Sequence, residues 1–132
     1  MRDLIDLLRE AEDHETPDDL SWTNRLQSAC DDAQVGFHYE EGGCWGMALA
    51  LRDTFAKMGM RPSLQVGEEF VHAAVEVDGI LYDWQGRCQM ENSREVTQRE
   101  FLRLVVSNGC RDDLLPDYEE AKAIIANAIT PE

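Results

Sequence analysis

Residues 70–84 read FVHAAVEVDGILYDW, with an apolar-rich run on either side of the pair Asp78-Gly79. Short runs rich in β-branched and aromatic residues are typical of strands, and Asp-Gly between two such runs is typical of a two-residue hairpin turn. We therefore predict strands over residues 70–77 and 80–84 that pair antiparallel. This hairpin decides the fold, because its register determines which side chains meet.

The register places an imidazole and a carboxylate on one face of the hairpin. If Val77 pairs with Ile80 across the turn, the pairing continues outward until His72 and Asp83 are diagonal neighbours, roughly 7 Å apart at the backbone. A carboxylate there can accept a hydrogen bond from one imidazole nitrogen, which fixes the tautomer and stabilises the imidazolium ion. We therefore predict that His72 and Asp83 act as a pair.

A helix with a thiol at its first residue precedes the hairpin. Directly after two glycines, residues 44–58 carry apolar side chains at helical spacing, and Cys44 begins that stripe. The positive end of a helix dipole favours a thiolate, and the N–H groups there can donate to the oxyanion of a tetrahedral intermediate. We predict Cys44 as nucleophile, His72 as general base and acid, and Asp83 as orienting group, with the Cys44 end of the helix packed over the His72–Asp83 face.

Further elements surround this core, and turn residues or caps mark several of their ends. We predict a loop over residues 36–43, a strand over residues 63–67, and helices over residues 4–8, 21–33, 97–106 and 117–128.

Together these elements predict an α+β fold. The helix bearing the nucleophile at its N-terminus packs on a small antiparallel sheet, and helices flank this unit on the N- and C-terminal sides. A chain of 132 residues with 43% apolar composition is long enough for one core and short for two. We expect a single domain over residues 1–132, with a minimal core at about residues 38–86.

The charge balance is strongly acidic, with 12 Lys and Arg against 27 Asp and Glu and a formal net charge of -15. Such a surface repels phosphate backbones and anionic lipid and attracts a cationic partner, so we expect neither a nucleic-acid nor a membrane partner. The sequence has no apolar run of roughly 20 residues and no signal-peptide pattern at its start. We therefore expect a cytoplasmic protein.

The four cysteines are Cys30, Cys44, Cys88 and Cys110, with no Cys-x-x-Cys pair among them. This spacing predicts reduced thiols rather than a disulfide scaffold. A zinc site built from the thiol, imidazole and carboxylate is an alternative, but structural zinc usually takes four ligands, often from short local pairs. We expect neither a metal nor another cofactor.

Three short motifs resemble the papain-like superfamily in its broad sense: GGCW at residues 42–45, HAAVEV at 72–77 and ILYD at 80–83. The closest likeness is to the transglutaminase-like and arylamine N-acetyltransferase-like branch. There a Gly-x-Cys-Trp-type helix start precedes a strand that bears His and a second strand that ends in Asp. The resemblance covers about residues 38–86 and implies a cysteine hydrolase or transferase with the triad Cys44, His72 and Asp83.

The chain departs from the papain-type proteases in ways that favour this branch. His72 follows Cys44 by 28 positions, against about 130–150 in those proteases, and the third member is Asp rather than Asn. His38 stands six positions before the cysteine, where those proteases carry the Gln that donates to the oxyanion. His38, Trp45 and Gln85 are candidates for oxyanion or substrate contacts, against the simpler interpretations of a loop histidine, a packed indole and a solvated edge residue.

Two functions from different classes account for these features. The first is a thiol enzyme that acts on an amide of a peptide, a protein or a small molecule through a thioester, as a peptidase, glutamine deamidase or transglutaminase does. The alternative is a non-catalytic acidic interaction protein that binds a basic protein, which the charge suggests.

Overall fold

The computed structural model describes residues 20–68, 72–90 and 92–130. Five helices and a five-stranded antiparallel sheet lie within these ranges, which confirms the predicted α+β class. The predicted helix over residues 4–8 falls outside the described residues, and the single domain over residues 1–132 stays a prediction. In chain order the elements are α1 (Thr23–Asp32), α2 (Gly36–Glu40), α3 (Cys44–Lys57), β1 (Ser63–Gly67), β2 (Ala73–Val77), β3 (Ile80–Asp83), β4 (Gly86–Cys88), β5 (Ser93–Val96), α4 (Gln98–Ser107) and α5 (Arg111–Ile129).

The strands lie in the order β4-β3-β2-β1-β5, and every neighbouring pair is antiparallel. The predicted register of the central hairpin is confirmed, because Val77 pairs with Ile80 at the turn between β2 and β3. Asp78 and Gly79 have φ of 52° and 84°, and the favoured two-residue hairpin turn requires such positive values at both of its central positions. Returning strand β3 ends at Asp83 rather than at residue 84.

The structure contains two strands that the sequence did not predict, because no regular structure was expected between the hairpin and α4. β4 has three residues and β5 has four, most of them polar, so neither produces a recognisable alternation of apolar and polar positions. Gly86 has φ of 90°, and a Cβ there would lie 2.3 Å from the carbonyl oxygen of Thr23. Glycine therefore lets the β3–β4 turn approach the start of α1.

Two helix predictions also differ from the structure. The predicted loop over residues 36–43 contains the short helix α2, and α5 begins at Arg111 rather than near residue 117. Pro116 lies inside α5, where it removes one backbone donor without ending the helix. The helix predicted at residues 97–106 is confirmed as α4, and Thr97 forms its capping box with Glu100.

The body of helix α3 packs on the sheet face opposite to the one that bears His72 and Asp83. The ring of Phe55 on α3 lies 5.1 Å from the ring of Tyr82 on β3, and both side chains are buried. Because side chains alternate along a strand, the register assigns His72 and Asp83 to the other face. The body of α3 therefore covers the other face, and its Cys44 end, the only part of the helix that the prediction concerned, approaches His72.

Within the described ranges, no helix combines the length and the apolar character that crossing a membrane requires.

Candidate active site

The imidazole of His72 and the carboxylate of Asp83 meet at the end of the central hairpin. His72 directly precedes β2, Asp83 is the last residue of β3, and His72 Nε2 lies 2.8 Å from Asp83 Oδ2. The second carboxylate oxygen, Oδ1, accepts a hydrogen bond of 2.8 Å from the backbone N–H of Gln85. Both oxygens of Asp83 therefore have partners, and the carboxylate is fixed against the ring.

The thiol of Cys44 is the second group next to this imidazole. Cys44 is the first residue of α3 and is 2% exposed, while the side chain of His72 is 15% exposed. Because Nε2 of His72 is engaged by Asp83, Nδ1 is the nitrogen left for the thiol. The described residues therefore include Cys44 and Asp83 on either side of the His72 ring, as predicted.

The surroundings of His72 favour a positively charged ring. Burial lowers the pKa of His72, but the hydrogen bond to Asp83 and the neighbouring Cys44 outweigh it and raise that pKa from 6.5 to about 10. The ring is therefore protonated at neutral pH. An imidazolium stabilises a thiolate beside it, which is the charge pair that a thiol nucleophile uses.

The first turn of α3 supplies backbone donors next to the sulfur. The N–H of Cys44 itself donates to the carbonyl of Glu41 at 3.2 Å, and the N–H of Gly43 donates to the carbonyl of His38 at 2.9 Å. The N–H groups of residues 45 and 46 follow in the same turn, where a helix provides its amides with no internal acceptor. These are the amides that can donate to an oxyanion formed at Cys44.

His38 lies beside the start of α3, on the short helix α2. A Cβ on Gly43 would come within 2.5 Å of the His38 ring, so glycine is needed for this approach. His38 Nε2 lies 2.7 Å from Asp117 Oδ1 on α5, and the His38 side chain is 44% exposed. The chain thus holds a second imidazole–carboxylate pair close to the nucleophile, and an oxyanion role for His38 stays a prediction.

Close packing of two helices brings Asp117 to this position. A Cβ on Gly46, in the first turn of α3, would lie 2.6 Å from the Cβ of Asp117 and 2.7 Å from the backbone nitrogen of Tyr118. Only glycine allows α3 and α5 to approach this closely. Gly46 therefore couples the site to the C-terminal helix.

Trp45 and Gln85, the other two candidates for oxyanion or substrate contacts, have different surroundings. Trp45 is 2% exposed and packs edge-on against Phe101 of α4 at 5.2 Å, which favours the packing interpretation. Gln85 holds Asp83 through its backbone rather than its side chain. Gln85 also helps to line a surface cavity of about 820 Å³ over β3 and β4.

Two further cysteines lie next to the site, and neither was predicted to be there from the sequence. Cys88 on β4 adjoins Asp83, and burial together with the charge of Asp83 raises the pKa of the Cys88 thiol. Cys110 directly precedes α5, and its sulfur would lie 3.7 Å from a Cβ on Gly42. No local motif marks either residue, because β4 and the α3–α5 contact are what bring them here.

No group of three or more His, Cys, Asp or Glu side chains in residues 20–68, 72–90 and 92–130 is arranged to hold a metal ion. The chain matches no protein-family model, no curated protein and no solved structure.

Proposed function

We propose that this protein is a thiol-dependent acyl-transfer enzyme that acts on an amide and uses Cys44, His72 and Asp83 as a catalytic triad. The observation that carries the proposal is the 2.8 Å hydrogen bond between His72 and Asp83, on a ring whose other nitrogen is left for the Cys44 thiol. The papain-like resemblance of the three motifs supports the same chemistry. Peptidase, glutamine deamidase and transglutaminase activities all use it.

The reaction begins with the Cys44 thiolate and the His72 imidazolium. The sulfur attacks the amide carbon, a C–S bond forms, and the first-turn amides of α3 donate to the oxyanion. His72 gives its proton to the leaving nitrogen, the C–N bond breaks, and a thioester remains on Cys44. Water or an amine then attacks the thioester while His72 takes its proton, the C–S bond breaks, and the product leaves as the Cys44 thiolate and the His72 imidazolium are restored. Asp83 keeps the ring in the required tautomer throughout.

The burial of Cys44 bears on the substrate. Only 2% of the residue is exposed, so a substrate needs a slender group to bring its carbonyl carbon to the sulfur. A slender primary amide, such as the end of a glutamine side chain, fits this constraint better than a peptide bond in a folded chain. Release of ammonia from a blocked glutamine dipeptide is therefore the first activity to assay.

Alkylation by iodoacetamide tests the reactive thiol without knowledge of the substrate. Mass spectrometry of the digested protein gives the rate at each cysteine, and we expect Cys44 to react at least ~10-fold faster than Cys30 at pH 6. His72→Gln should remove this advantage, and Cys30→Ser should leave the rate at Cys44 unchanged. Equal rates at Cys44 in the wild-type and His72→Gln proteins would contradict the proposal.

The net charge of -15 favours a second candidate, a non-catalytic protein that binds a basic partner. The exposed pair Asp112 and Asp113 in the first turn of α5 is one of its acidic sites. For this function, Asp112→Asn with Asp113→Asn should weaken binding to a basic protein such as a histone, and Cys44→Ala should not. Binding that is insensitive to the paired Asn substitutions excludes a role for these two residues.

A further inference from the structure

A second thiol, that of Cys110, lies beside the turn that precedes α3, the helix that carries the nucleophile. Cys110 is the N-cap of α5 and is only partly buried. Its sulfur would lie 3.7 Å from a Cβ on Gly42, which is two residues before Cys44 in the turn that leads into α3. Cys110 therefore flanks the Cys44 end of α3 from the side of α5.

The two thiols have different electrostatic environments. Burial raises the pKa of the Cys110 thiol, and the negative charge of a Cys44 thiolate raises it further. Cys44 instead has the His72 ring beside it, whose pKa of about 10 keeps the ring cationic at neutral pH. An oxidant that requires a thiolate should therefore react first at Cys44 and leave Cys110 as a protonated thiol.

We propose that Cys44 and Cys110 form a redox modification site, in which a peroxide converts the two thiols into a reversible disulfide. This inference rests on the proposed reactivity of Cys44 and adds a chemical control of the same site. A disulfide removes the nucleophile and covers the start of α3, so oxidation should stop acyl transfer until a thiol reductant restores it.

Hydrogen peroxide supplies the two oxidising equivalents. The Cys44 thiolate attacks one peroxide oxygen, the O–O bond breaks, and the hydroxide that leaves takes a proton from His72 to form water. Cys44 is then a sulfenic acid. The sulfur of Cys110 attacks the Cys44 sulfur, the S–O bond breaks, the S–S bond forms, and the Cys110 proton leaves with the hydroxyl group as a second water. A dithiol reverses the reaction by exchange and is itself oxidised to a disulfide.

The remaining cysteines serve as internal controls. Cys30 on α1 is fully buried, and burial together with Asp31 raises its pKa to about 12. Cys88 lies on β4 next to Asp83, whose negative charge disfavours a thiolate. Neither should react with peroxide at neutral pH on the timescale at which Cys44 does.

The experiment treats the full-length protein with a small excess of hydrogen peroxide at pH 7 and maps its peptides without reduction. We expect a peptide pair joined through Cys44 and Cys110, which dithiothreitol separates. In Cys110→Ser, dimedone should label a sulfenic acid on Cys44, and prolonged peroxide should produce a sulfinic acid that dithiothreitol does not reduce. Cys88→Ser is the matched control and should form the Cys44–Cys110 disulfide as the wild type does.

Two results would overturn the inference. In the first, Cys44 of the wild type is oxidised to sulfinic acid while Cys110 stays a free thiol. In the second, Cys44 forms a disulfide with another cysteine at the same rate as with Cys110. Iodoacetamide alkylation of the untreated protein separates this failure from failure of the proposed function. Rapid alkylation of Cys44 with no disulfide leaves the enzyme proposal intact and rejects the switch. Slow alkylation that is insensitive to His72→Gln rejects both.

Discussion

Replacement of Asp83 by asparagine tests the central pair of the site, because it removes a charge and keeps the shape. Asp83 accepts two hydrogen bonds, one from the Gln85 N–H and one from His72 Nε2, each of 2.8 Å. An Asn side chain offers only one acceptor oxygen and one N–H₂ donor. If the oxygen stays with Gln85, the amide N–H₂ faces Nε2, and the ring proton must move to Nδ1. The nitrogen that faces Cys44 then has no lone pair for the thiol proton.

The expected magnitude follows from the environment of His72. Burial lowers the pKa of His72, and Asp83 makes the first of the contributions that raise it from 6.5 to about 10. Without the carboxylate we expect the pKa of His72 to fall well below about 10, because burial still lowers it and the first of the contributions that raise it is gone, so the imidazolium fraction at pH 8 should decrease. Loss of the correct tautomer in a catalytic triad slows turnover on the order of 10⁴-fold.

Two measurements check this prediction. In protein with ¹³C-labelled histidine, the His72 resonance should stay at its protonated position between about pH 6 and 9 in the wild type and should titrate at a lower pH in Asp83→Asn. The pH profile of Cys44 alkylation should lose its low-pH limb in the same variant. Asp117→Asn is the matched control, because it alters the other imidazole–carboxylate pair and should leave His72 unchanged. If His72 titrates near 6.5 in the wild type, or identically in wild type and Asp83→Asn, the reasoning fails.

Three further predictions concern packing, pH and capping. Gly46→Ala would place a Cβ 2.6 Å from the Cβ of Asp117, so urea unfolding should show a loss of about 1–3 kcal/mol, whereas Gly42→Ala, which has room for the methyl group, should stay within about 0.5 kcal/mol of the wild type. Because the folded pKa of His72 is about 10 against an ordinary 6.5, its contribution to stability is fully present below pH 6.5 and is lost as pH rises through about 10. The free energy of unfolding should therefore fall more between about pH 7 and 10.5 in the wild type than in His72→Gln, and parallel curves would refute the raised pKa. Thr97→Ala removes the N-cap of α4 and should lower the free energy of unfolding by about 1 kcal/mol in the same assay, while Thr97→Ser should keep most of the stability that the cap provides.

The hairpin was predictable because its determinants are local. Asp78 and Gly79 adopt the positive φ values that few other pairs accept, and the side-chain alternation then places His72 and Asp83 together. The same argument did not extend to β4 and β5, whose three and four residues exist as strands only because neighbouring strands supply their hydrogen bonds. Short polar strands of this kind have no signature of their own in the sequence.

The helices divide in the same way. The capping box at Thr97 identified α4, because both of its hydrogen bonds lie within four residues. The start of α5 was predicted too late, since its first turn carries acidic residues and Pro116 instead of an apolar stripe. The sheet face that the body of α3 covers was not predicted, because the helical period does not say which side of the sheet a helix packs on.

The sequence by itself determined the α+β class, the hairpin register and the placement of His72 beside Asp83, because turn conformations and strand alternation are specified by a few adjacent residues. Tertiary structure alone decided what surrounds the thiol. Cys110 on the α5 side and the His38–Asp117 pair lie beside the start of α3, and the close approach that Gly46 permits between α3 and α5 brings Asp117 there. Contacts between residues some 65 to 80 positions apart depend on how whole helices pack, and no local pattern of residues encodes that packing.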